Sequence, residues 1–524
     1  MIKFENVSYS YPNSTVALKN VDLHIDRGER LSIVGNNGSG KTTLALLING
    51  ILRATSGKIE IDGLDPSRAD HNQSLKQKVG LVFQNPDNQL VSTTVEREVA
   101  FSLENLNTPY DRMRSRVDKM LEFFGLSGFR ERLTSDLSGG EKQKLALASV
   151  MVAEPDILIL DEPGSYLDES GKRLLDNAIN LLLAEKRDLT VLQITQYSRV
   201  ARQHERMVVF KDATVIADGN PIAIFSSADD ASSLGVKIPL EFRLNAIAAR
   251  DTIETERPPY LISSSHGSKK IILDKISFKY DSIYDLPLFE GLDLTIQNEK
   301  VYGLVGCSGS GKTSLIQLMA GLLKPTRGRV IYEGFPAKPG QLAVSFQQPE
   351  RQFFLETADK EIRFGAENLK LPDIDAVAEK CYELTGLSKA LYSGRNPFTL
   401  SGGEKRRLAF GTIISLSPAF IFFDEPTCGL DESGIKLFMN LVDRLKNEGI
   451  GIVIVSHYGD IIMELADEVI ALNQGRIDAV TSKENFFRAV DYSPYLSRPD
   501  LVDYQMKKIG DIRYFSETEL LRHL

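Results

Sequence analysis

The sequence predicts an α/β fold that is built twice along one chain, each copy having a parallel sheet covered by helices. Short apolar strand patterns at Leu31–Val34, Leu158–Leu160 and Val191–Ile194 are each followed by a loop and a helical pattern. This alternation is typical of a parallel sheet with both faces covered. A glycine-rich loop lies between an apolar strand and a helix at Gly35–Thr42 and again at Gly306–Thr313, which indicates an internal repeat.

Two further motifs repeat in the same order. LSGGEK occurs at Leu137–Lys142 and Leu400–Lys405, and an apolar strand ending in Asp-Glu-Pro occurs at Ile157–Pro163 and Ile421–Pro426. In each copy the serine of LSGGEK precedes the glutamate of Asp-Glu-Pro by 24 positions. This agreement predicts two homologous domains in tandem.

The domain boundaries follow from the repeats and from one stretch that lacks periodicity. Residues 254–270 read ETERPPYLISSSHGSKK, and prolines and serines without a periodic pattern are typical of a linker. We predict a first domain at 1–218, a small carboxy-terminal extension at 219–250, a linker at 251–270, a second domain at 271–485 and a tail at 486–524. The tail carries no motif that indicates a function.

Composition and charge exclude several classes of protein. The net charge of −9 over 524 residues provides no basic field that would hold nucleic acid or an anionic membrane surface. Three cysteines without a CxxC pair exclude a disulfide framework and fit a reducing compartment. No stretch approaches the ~20 apolar residues of a spanning helix, and the strand-like start MIKFENVSYSYP lacks the apolar core of a signal peptide. We therefore expect any action at a membrane to depend on a partner.

The two glycine-rich loops match the pattern of a loop that binds nucleotide phosphates. Their glycines let backbone N–H groups turn toward a polyphosphate, and the helix that follows adds partial positive charge. The lysine is expected to reach the β- and γ-phosphates, and the threonine hydroxyl to bind Mg²⁺. The predicted nucleotide-binding residues of these loops are Gly35, Asn36, Asn37, Gly38, Ser39, Gly40, Lys41, Thr42 and Thr43, and then Gly306, Cys307, Ser308, Gly309, Ser310, Gly311, Lys312, Thr313 and Ser314.

The Asp-Glu pairs predict the catalytic carboxylates. Asp161 and Asp424 end apolar strands, where a carboxylate can orient Mg²⁺. Glu162 and Glu425 follow directly and are placed to polarise an attacking water as general base. An acidic cap at a helix amino terminus is the alternative, and the phosphate loops upstream argue against it.

LSGGEK decides between families, because a phosphate loop alone also fits kinases and GTPases. Together with Gln84, Gln347, Asp168, Asp431 and His457, the motif resembles the ATP-binding cassette (ABC) family over nearly the whole chain. The resemblance implies an antiparallel β subdomain and a helical subdomain in each copy, with ATP and Mg²⁺ as cofactors. It also implies that the two cassettes pair, so that the LSGGEK serine and glycines of each clamp the γ-phosphate held by the other.

The same resemblance implies roles for further residues. Tyr11 and Tyr280, in the contexts VSYSY and ISFKY, match an aromatic that stacks on adenine, and a plain core tyrosine is the alternative. The composite sites would pair Lys41 with Ser401 and Lys312 with Ser138. The implied clamp residues are Ser138, Gly139, Gly140, Ser401, Gly402 and Gly403, and the implied metal ligands are Thr42, Gln84, Asp161, Thr313, Gln347 and Asp424.

The stretches that begin at Gln84 and Gln347, QNPDNQLVSTTVEREVAFSLENL and QQPERQFFLETADKEIRFGAENL, align without a gap. They are similar to the ATPases of energy-coupling factor and cobalt-type importers, and SSLGVKIPLEFRL at Ser232–Leu244 resembles the small extension of those ATPases. The resemblance implies a peripheral protein on the cytoplasmic face of the cell membrane. Its partners would be a transmembrane scaffold subunit and a membrane substrate-capture protein, and its cargo a vitamin, a vitamin precursor, cobalt or nickel.

Acidic positions in these stretches allow two interpretations. They either accept arginines from the scaffold partner or form a solvated helix face. They are Asp87, Glu96 and Glu98 in the first copy, and Glu350, Asp359 and Glu361 in the second.

The competing class is a twin-cassette protein that works on ribosomes or DNA. Such proteins usually carry a long charged linker, a basic tail or a cysteine-rich domain, and a chromosome-type ATPase carries a long heptad insertion. None of these features occurs in the sequence, so we expect transport and no nucleic-acid partner. A regulatory role without hydrolysis is the third alternative.

The last apolar strand of each copy predicts that the two sites differ. In the second copy IVIVSH places His457 where the family keeps a histidine near the γ-phosphate, whereas VLQITQ places Gln196 at the matching position. Glutamine can donate a hydrogen bond to a phosphate oxygen but cannot shuttle a proton. The Gln196 site is therefore expected to be slow, and the alternative is that glutamine replaces histidine well.

Overall fold

The computed structural model describes residues 1–12, 14–164, 167, 169–186, 188–227, 234–248, 267–280, 287–521 and 523. The chain divides into two compact units, Met1–Ala246 and Ile247–Leu524, and each holds one copy of the repeated motifs. Residues 251–266 of the predicted linker and Asp168 lie outside the described residues, so the domain boundaries stay predictions.

The described part of the first unit forms a six-stranded sheet, a three-stranded antiparallel sheet and helices that pack on both. Its strands are β1 (Ile2–Ser10), β2 (Val16–Ile25), β3 (Arg30–Gly35), β4 (Ser56–Ile61), β5 (Val79–Val82), β6 (Ile157–Asp161), β7 (Thr190–Ile194), β8 (Arg206–Lys211) and β9 (Thr214–Gly219). Its helices are α1 (Lys41–Ile48), α2 (Asn72–Lys78), α3 (Val95–Asn105), α4 (Tyr110–Phe123), α5 (Gly139–Met151), α6 (Glu169–Glu185), α7 (Ser198–Ala201), α8 (Pro221–Ser227) and α9 (Leu240–Ala248).

The described part of the second unit repeats this architecture and adds one short helix at its carboxy terminus. Its strands are β10 (Lys270–Phe278), β11 (Phe289–Gln297), β12 (Val301–Val305), β13 (Arg327–Glu333), β14 (Leu342–Ser345), β15 (Phe420–Asp424), β16 (Gly451–Val455), β17 (Glu468–Asn473) and β18 (Arg476–Ser482). Its helices are α10 (Lys312–Met319), α11 (Ala358–Asn368), α12 (Ile374–Thr385), α13 (Lys389–Tyr392), α14 (Gly402–Ile414), α15 (Glu432–Asn447), α16 (Gly459–Leu465), α17 (Lys483–Ala489), α18 (Asp500–Lys508) and α19 (Glu517–Leu521).

Strand order is the same in both units. The large sheets run β5-β6-β7-β3-β8-β9 and β14-β15-β16-β12-β17-β18, and the small ones β2-β1-β4 and β11-β10-β13. Within each large sheet the first five strands are parallel and the last is antiparallel. β6 and β7 are buried throughout, because their apolar side chains face cores on both sides of the sheet. The predicted fold class is confirmed.

Two apolar cores lie on the two faces of each large sheet. In the first unit one core joins the sheet to β1, β2, β4 and α1, and the other joins it to α3, α4, α5 and α6. The second unit has the equivalent pair. Within the residues that the structure describes, no helix has both the length and the apolar character to cross a membrane.

Candidate nucleotide-binding sites

One edge of each large sheet holds the phosphate loop and the Asp-Glu pair of its unit. In the first unit β7 lies between β3 and β6, so the carboxyl ends of these three parallel strands are adjacent. Gly35, Asp161 and Ile194 are the last residues of these strands. β12, β15 and β16 make the same arrangement in the second unit. This edge is where ligands bind in open α/β sheets.

Each glycine-rich loop wraps around the ammonium group of its own lysine. Lys41 Nζ donates to the carbonyl oxygens of Gly35 and Asn36, both at 2.8 Å, and Lys312 Nζ contacts the matching carbonyls at 2.8 and 2.9 Å. The hydroxyls of Ser39 and Ser310 are buried and have no hydrogen-bond partner among the described residues. Because buried hydroxyls normally have partners, these loops fit a polyphosphate, whose oxygens would accept from both groups.

Two glycines of the first loop are needed for different structural reasons. Gly35 has a φ of 151°, and a Cβ there would lie 2.2 Å from the carbonyl oxygen of Phe210 in β8. Gly38 has a φ of 79° with open space around it, so its need is for the left-handed turn. Gly35 thus permits close packing of β3 and β8, and the expectation that the loop glycines turn N–H groups toward a phosphate stays a prediction.

The predicted magnesium ligands meet in pairs. Thr42 Oγ1 donates to Asp161 Oδ2, and Thr313 Oγ1 donates to Asp424 Oδ2, both at 2.8 Å. Burial raises the pKa of Asp161 to about 6 and also raises the pKa of Asp424. A hydroxyl and a carboxylate are the hard oxygen donors that Mg²⁺ prefers. Among the described residues no group of three or more His, Cys, Asp or Glu forms a metal site, so phosphate oxygens would have to supply further ligands.

The two candidate general bases have strained backbones. Glu162 and Glu425 have φ values of 46° and 47°, in the left-handed region that costs a non-glycine residue about 1–3 kcal/mol. Their N–H groups donate to the carbonyl oxygens of Ile194 and Val455 on the neighbouring strands, at 3.1 and 3.0 Å. The sheet therefore holds each glutamate in a turn that the chain would otherwise avoid.

Different side chains contact the two glutamates. In the first unit Glu162 accepts from Gln196 Nε2 at 2.8 Å and from Gln84 Nε2 at 3.0 Å, and Gln196 also donates to Asn37 Oδ1 at 2.9 Å. In the second unit His457 Nε2 lies 3.2 Å from Glu425 Oε1. Gln196 and His457 thus reach the same place, as their alignment predicts.

Among the described residues, neither predicted glutamine ligand is hydrogen-bonded to the threonine–aspartate pair of its unit. Gln84 contacts Glu162 rather than the pair of Thr42 and Asp161. Gln347 is exposed, and its side chain makes no hydrogen bond within the described part of the chain. Metal binding by Gln84 and Gln347 stays a prediction.

Both tyrosines are tied to the first turn of the helix that follows their loop. The hydroxyls of Tyr11 and Tyr280 lie 3.1 and 2.8 Å from those of Thr43 and Ser314. Tyr280 is 49% exposed and packs edge-to-face on Phe278. Tyr280 is therefore not a buried core tyrosine. Stacking of Tyr11 and Tyr280 on adenine stays a prediction.

The LSGGEK serines cap the helices that follow them. Ser138 and Ser401 accept from the N–H groups of Glu141 and Glu404, whose carboxylates accept in return from the serine N–H groups at 2.7 Å. These are complete capping boxes at the starts of α5 and α14. The serines and the glycines directly after them are exposed, so the amino end of each helix is open to solvent, and binding of a γ-phosphate there stays a prediction.

Arg406 in the second unit and Gln143 in the first stand at matching positions but make different contacts. Arg406, which is buried in α14, donates to the carbonyl oxygens of Cys428 at 3.2 Å and Glu425 at 3.5 Å. Gln143 in α5 is 1% exposed, and both of its amide atoms lack a partner among the described residues. The arginine supports the Asp-Glu-Pro turn of its unit, and the glutamine does not.

One acidic residue after each glutamine follows neither interpretation. Glu98 is 3% exposed and accepts from the N–H groups of Val91 and Ser92 at 2.9 and 2.6 Å. Glu361 is 4% exposed and accepts from those of Phe354 and Leu355, both at 2.6 Å. Both interpretations are wrong for these two residues, because each carboxylate is sequestered by its own loop.

The neighbouring acidic residues are paired within their own unit. Glu96 forms an ion pair with Arg130, Asp87 with Lys142 and Asp359 with Arg363. The side chain of Glu350 lies outside the described residues. These contacts fit a solvated surface, and acceptance of arginines from a scaffold partner stays a prediction.

Each unit thus has the loop, lysine, threonine–aspartate pair and glutamate of a P-loop ATPase. A family model described as ABC transporter matches residues 18–165 and 289–428. A protein of Methanosarcina mazei, provisionally named ABC transporter ATP-binding protein, is 32% identical over 521 residues, which cover 91% of this chain and 88% of the relative. The chain belongs to the ABC transporter family, and it is the ATP-binding, ATP-hydrolysing subunit of a transporter.

Two further likenesses are to a protein named for import and to one subunit of a transporter complex. A Bacillus subtilis protein provisionally named HMP/thiamine import ATP-binding protein YkoD is 29% identical over 498 residues, 90% of each chain. The structure of cbiO1 from Clostridium perfringens, part of the ABC transporter complex cbiONQ, matches 43% of this chain and 90% of that one at 36% identity and a TM-score of 0.40. That TM-score is too low to support an argument about this chain.

Proposed function

We propose that this chain drives an importer of the energy-coupling factor type from the cytoplasmic face of the membrane. Its partners are a transmembrane scaffold subunit and a membrane protein that captures the cargo. The likeness of the stretches after Gln84 and Gln347 to such ATPases supports this assignment. The import function in the name of the Bacillus subtilis relative supports the same direction and favours a vitamin or vitamin precursor over cobalt or nickel.

The observation that carries the proposal is a pair of exposed apolar side chains at matching positions in each unit, which we call the docking pairs. Val91 and Phe101 are 65% and 42% exposed, and Phe354 and Phe364 are 63% and 41% exposed. The rings of Phe354 and Phe364 pack edge-to-face at 4.8 Å. Single exposed apolar residues are ordinary, but the repetition of this pair in both units indicates a contact surface.

A buried glutamate fixes the backbone of one residue in each docking pair. Glu98 accepts the N–H of Val91 itself, and Glu361 accepts the N–H of Phe354 itself. The first residue of each docking pair is thereby held by a buried carboxylate of its own unit. A rigid apolar surface suits an amphipathic helix as partner, and in a transporter the scaffold subunit supplies such a helix on its cytoplasmic side.

ATP hydrolysis would use the site residues in the roles that their contacts support. Lys41 and Lys312 would balance phosphate charge, and each threonine–aspartate pair would hold magnesium, which would neutralise further charge on the phosphates. Glu162 and Glu425 polarise the attacking water. The exposed caps Ser138 and Ser401 would each bind the γ-phosphate held by the other unit, so that ATP draws the two units together.

The decisive experiment is copurification with the scaffold subunit. Phe354→Ser with Phe364→Ser is expected to lower both scaffold binding and scaffold-stimulated ATPase activity at least tenfold, while ATP binding by the isolated chain is unchanged. Val480→Ser is the matched control, because Val480 is 45% exposed in the same unit but belongs to neither docking pair. Stimulation by ribosomes or DNA instead of the scaffold would reject the proposal.

A further inference from the structure

The carboxy-terminal tail lies against the nucleotide site of the second unit, although its sequence carries no motif. Cys307 in the phosphate loop donates through Sγ to the carbonyl oxygen of Pro494 at 3.0 Å. Ser497 donates through its N–H to the carbonyl oxygen of His457 at 2.9 Å. One short segment of the tail therefore contacts both the phosphate loop and the residue that reaches Glu425.

Ser497 forms hydrogen bonds with both ends of the short turn from His457 to Gly459. Besides donating to residue 457, it accepts through Oγ from the N–H of Gly459 at 3.1 Å. The contact is close, because a Cβ on Gly459 would lie 2.0 Å from the carbonyl oxygen of Ser497. The serine thus fixes the backbone on both sides of Tyr458, between the end of β16 and the start of α16.

The segment is itself firmly held. Leu496 is 1% exposed, and Tyr495 donates through its hydroxyl to Asp478 at 2.6 Å. The N–H of Asp500 donates to Asp460 Oδ1 at 2.9 Å. Farther along, the buried side chain of Gln505 accepts from the N–H groups of residues 513 and 514 at 2.9 Å. The tail is a packed element, so its contacts with the site are maintained.

The first unit places its own extension in the corresponding position. A Cβ on Gly235 would lie 2.0 Å from the backbone nitrogen of Asn36 in the first phosphate loop. The segment ends at Pro239, directly before α9, as the tail segment ends at Pro499, directly before α18. The duplication therefore includes this element, and a serine at the matching place occurs only in the tail, since residue 237 is lysine.

We infer that residues 493–500 are part of the second nucleotide site and that Ser497 is a positioning residue for His457. The inference rests on the proposed role of His457 beside the γ-phosphate. Loss of the Ser497 hydroxyl frees the N–H of Gly459, and the turn then holds the imidazole less firmly against Glu425. ATP affinity depends mainly on Lys312 and Thr313, which the hydroxyl does not touch, so turnover falls without a change in binding.

The first test separates kcat from KM. In a Glu162→Gln background, which leaves the second site as the main source of turnover, Ser497→Ala is expected to lower kcat roughly fivefold, the effect of one hydrogen bond. The KM for ATP stays within about twofold of its original value, as expected when only a transition-state interaction is lost. Ser497→Thr retains the hydroxyl and restores turnover. Lys507→Ala, on the exposed face of the same tail, leaves both constants unchanged.

The second test measures tail packing without nucleotide. Cys307 is exposed, whereas Cys381 and Cys428 are buried, so the rate of maleimide labelling at Cys307, mapped by mass spectrometry, reports access to the phosphate loop. Gly459→Ala forces a clash with the Ser497 carbonyl and is expected to raise this rate severalfold. Ser497→Ala raises it less, and Lys507→Ala not at all. Thermal unfolding midpoints verify that each variant remains folded.

Several outcomes would overturn the inference. Unchanged labelling in Gly459→Ala shows that the tail does not cover the loop. A fall in kcat with an equal rise in KM, or no rescue by Ser497→Thr, shows that Ser497 does not position His457. Failure of the unsubstituted chain to copurify with the scaffold subunit would reject the proposed function instead, and the labelling contrast would remain measurable in that case.

Discussion

At the scale of single residues, the two candidate general bases share one backbone conformation but not one environment. Glu162 and Glu425 are held in the same left-handed turn. Glu425 lies beside an imidazole, whereas Glu162 accepts from the amides of Gln84 and Gln196. An imidazole can take up and pass on a proton near neutral pH, and an amide cannot.

We therefore expect unequal effects of removing the two carboxylates. Glu425→Gln should lower ATP turnover by roughly 10²–10⁴-fold, as is typical for loss of a general base. Glu162→Gln should cost less than about tenfold on the same scale. Steady-state ATPase rates of the two single variants, with the membrane partner present, measure this difference. Equal losses would mean that Gln196 serves as well as His457.

A second pair of residues predicts a difference in stability. An unpartnered buried amide is unfavourable, so Gln143→Leu should leave the free energy of unfolding unchanged or raise it by up to about 1 kcal/mol. Arg406→Leu removes the donor to two buried carbonyl groups and should lower it by about 2–3 kcal/mol. Denaturant unfolding of each variant measures both values. Equal changes in the free energy of unfolding at the two positions would contradict the difference in contacts between Arg406 and Gln143.

At the scale of elements, a buried carboxylate organises the loop before α3 in the first unit and before α11 in the second. Glu361 accepts two backbone N–H groups from the loop before its own helix, and Glu98 does the same in the first unit. The loops are thereby fixed by charge-assisted hydrogen bonds, which are stronger than neutral ones.

Glu361→Ala should therefore act on stability rather than on a charged contact with a partner. We expect a loss of about 2–3 kcal/mol in the free energy of unfolding, because two buried N–H groups lose their acceptor, and faster proteolysis between residues 353 and 356. Glu367→Ala on the exposed face of the same helix is the control. If the two variants are equally stable, the carboxylate of Glu361 does not hold the loop.

At the scale of the whole molecule, one chain carries two complete sets of complementary motifs. Each unit has its own phosphate loop and its own exposed LSGGEK cap. The pairing of units that we propose would therefore form both composite ATP sites within one chain.

This duplication predicts that ATP compacts a single chain. A variant with Glu162→Gln and Glu425→Gln, which retains bound ATP, should have a smaller radius of gyration with ATP than without it, at the mass of one chain. Small-angle scattering at several protein concentrations measures both quantities. Assembly of two chains in every ATP-bound sample would contradict closure within one molecule.

The sequence by itself determined the duplicated α/β fold and most of the site. Loop, lysine, threonine and the Asp-Glu pair are recognisable because each motif is local: a strand, a turn and a helix start within a few residues, in an order that the chemistry of phosphate binding requires. The correspondence of Gln196 and His457 also follows from position along the last strand, and the structure confirms it.

Only the tertiary structure decided how the remaining residues act. The sequence suggests that Glu98 and Glu361 are charges on a helix surface. In the structure both carboxylates are buried and accept from backbone N–H groups of their own loops. Arg406 and Gln143 differ in what their buried ends meet, and Ser497 reaches His457 across forty positions of sequence. Arg406 and Ser497 act through contacts between segments distant along the chain. Glu98 and Glu361 depend on how the loop before their own helix folds back, and residue type and periodicity specify neither kind of contact.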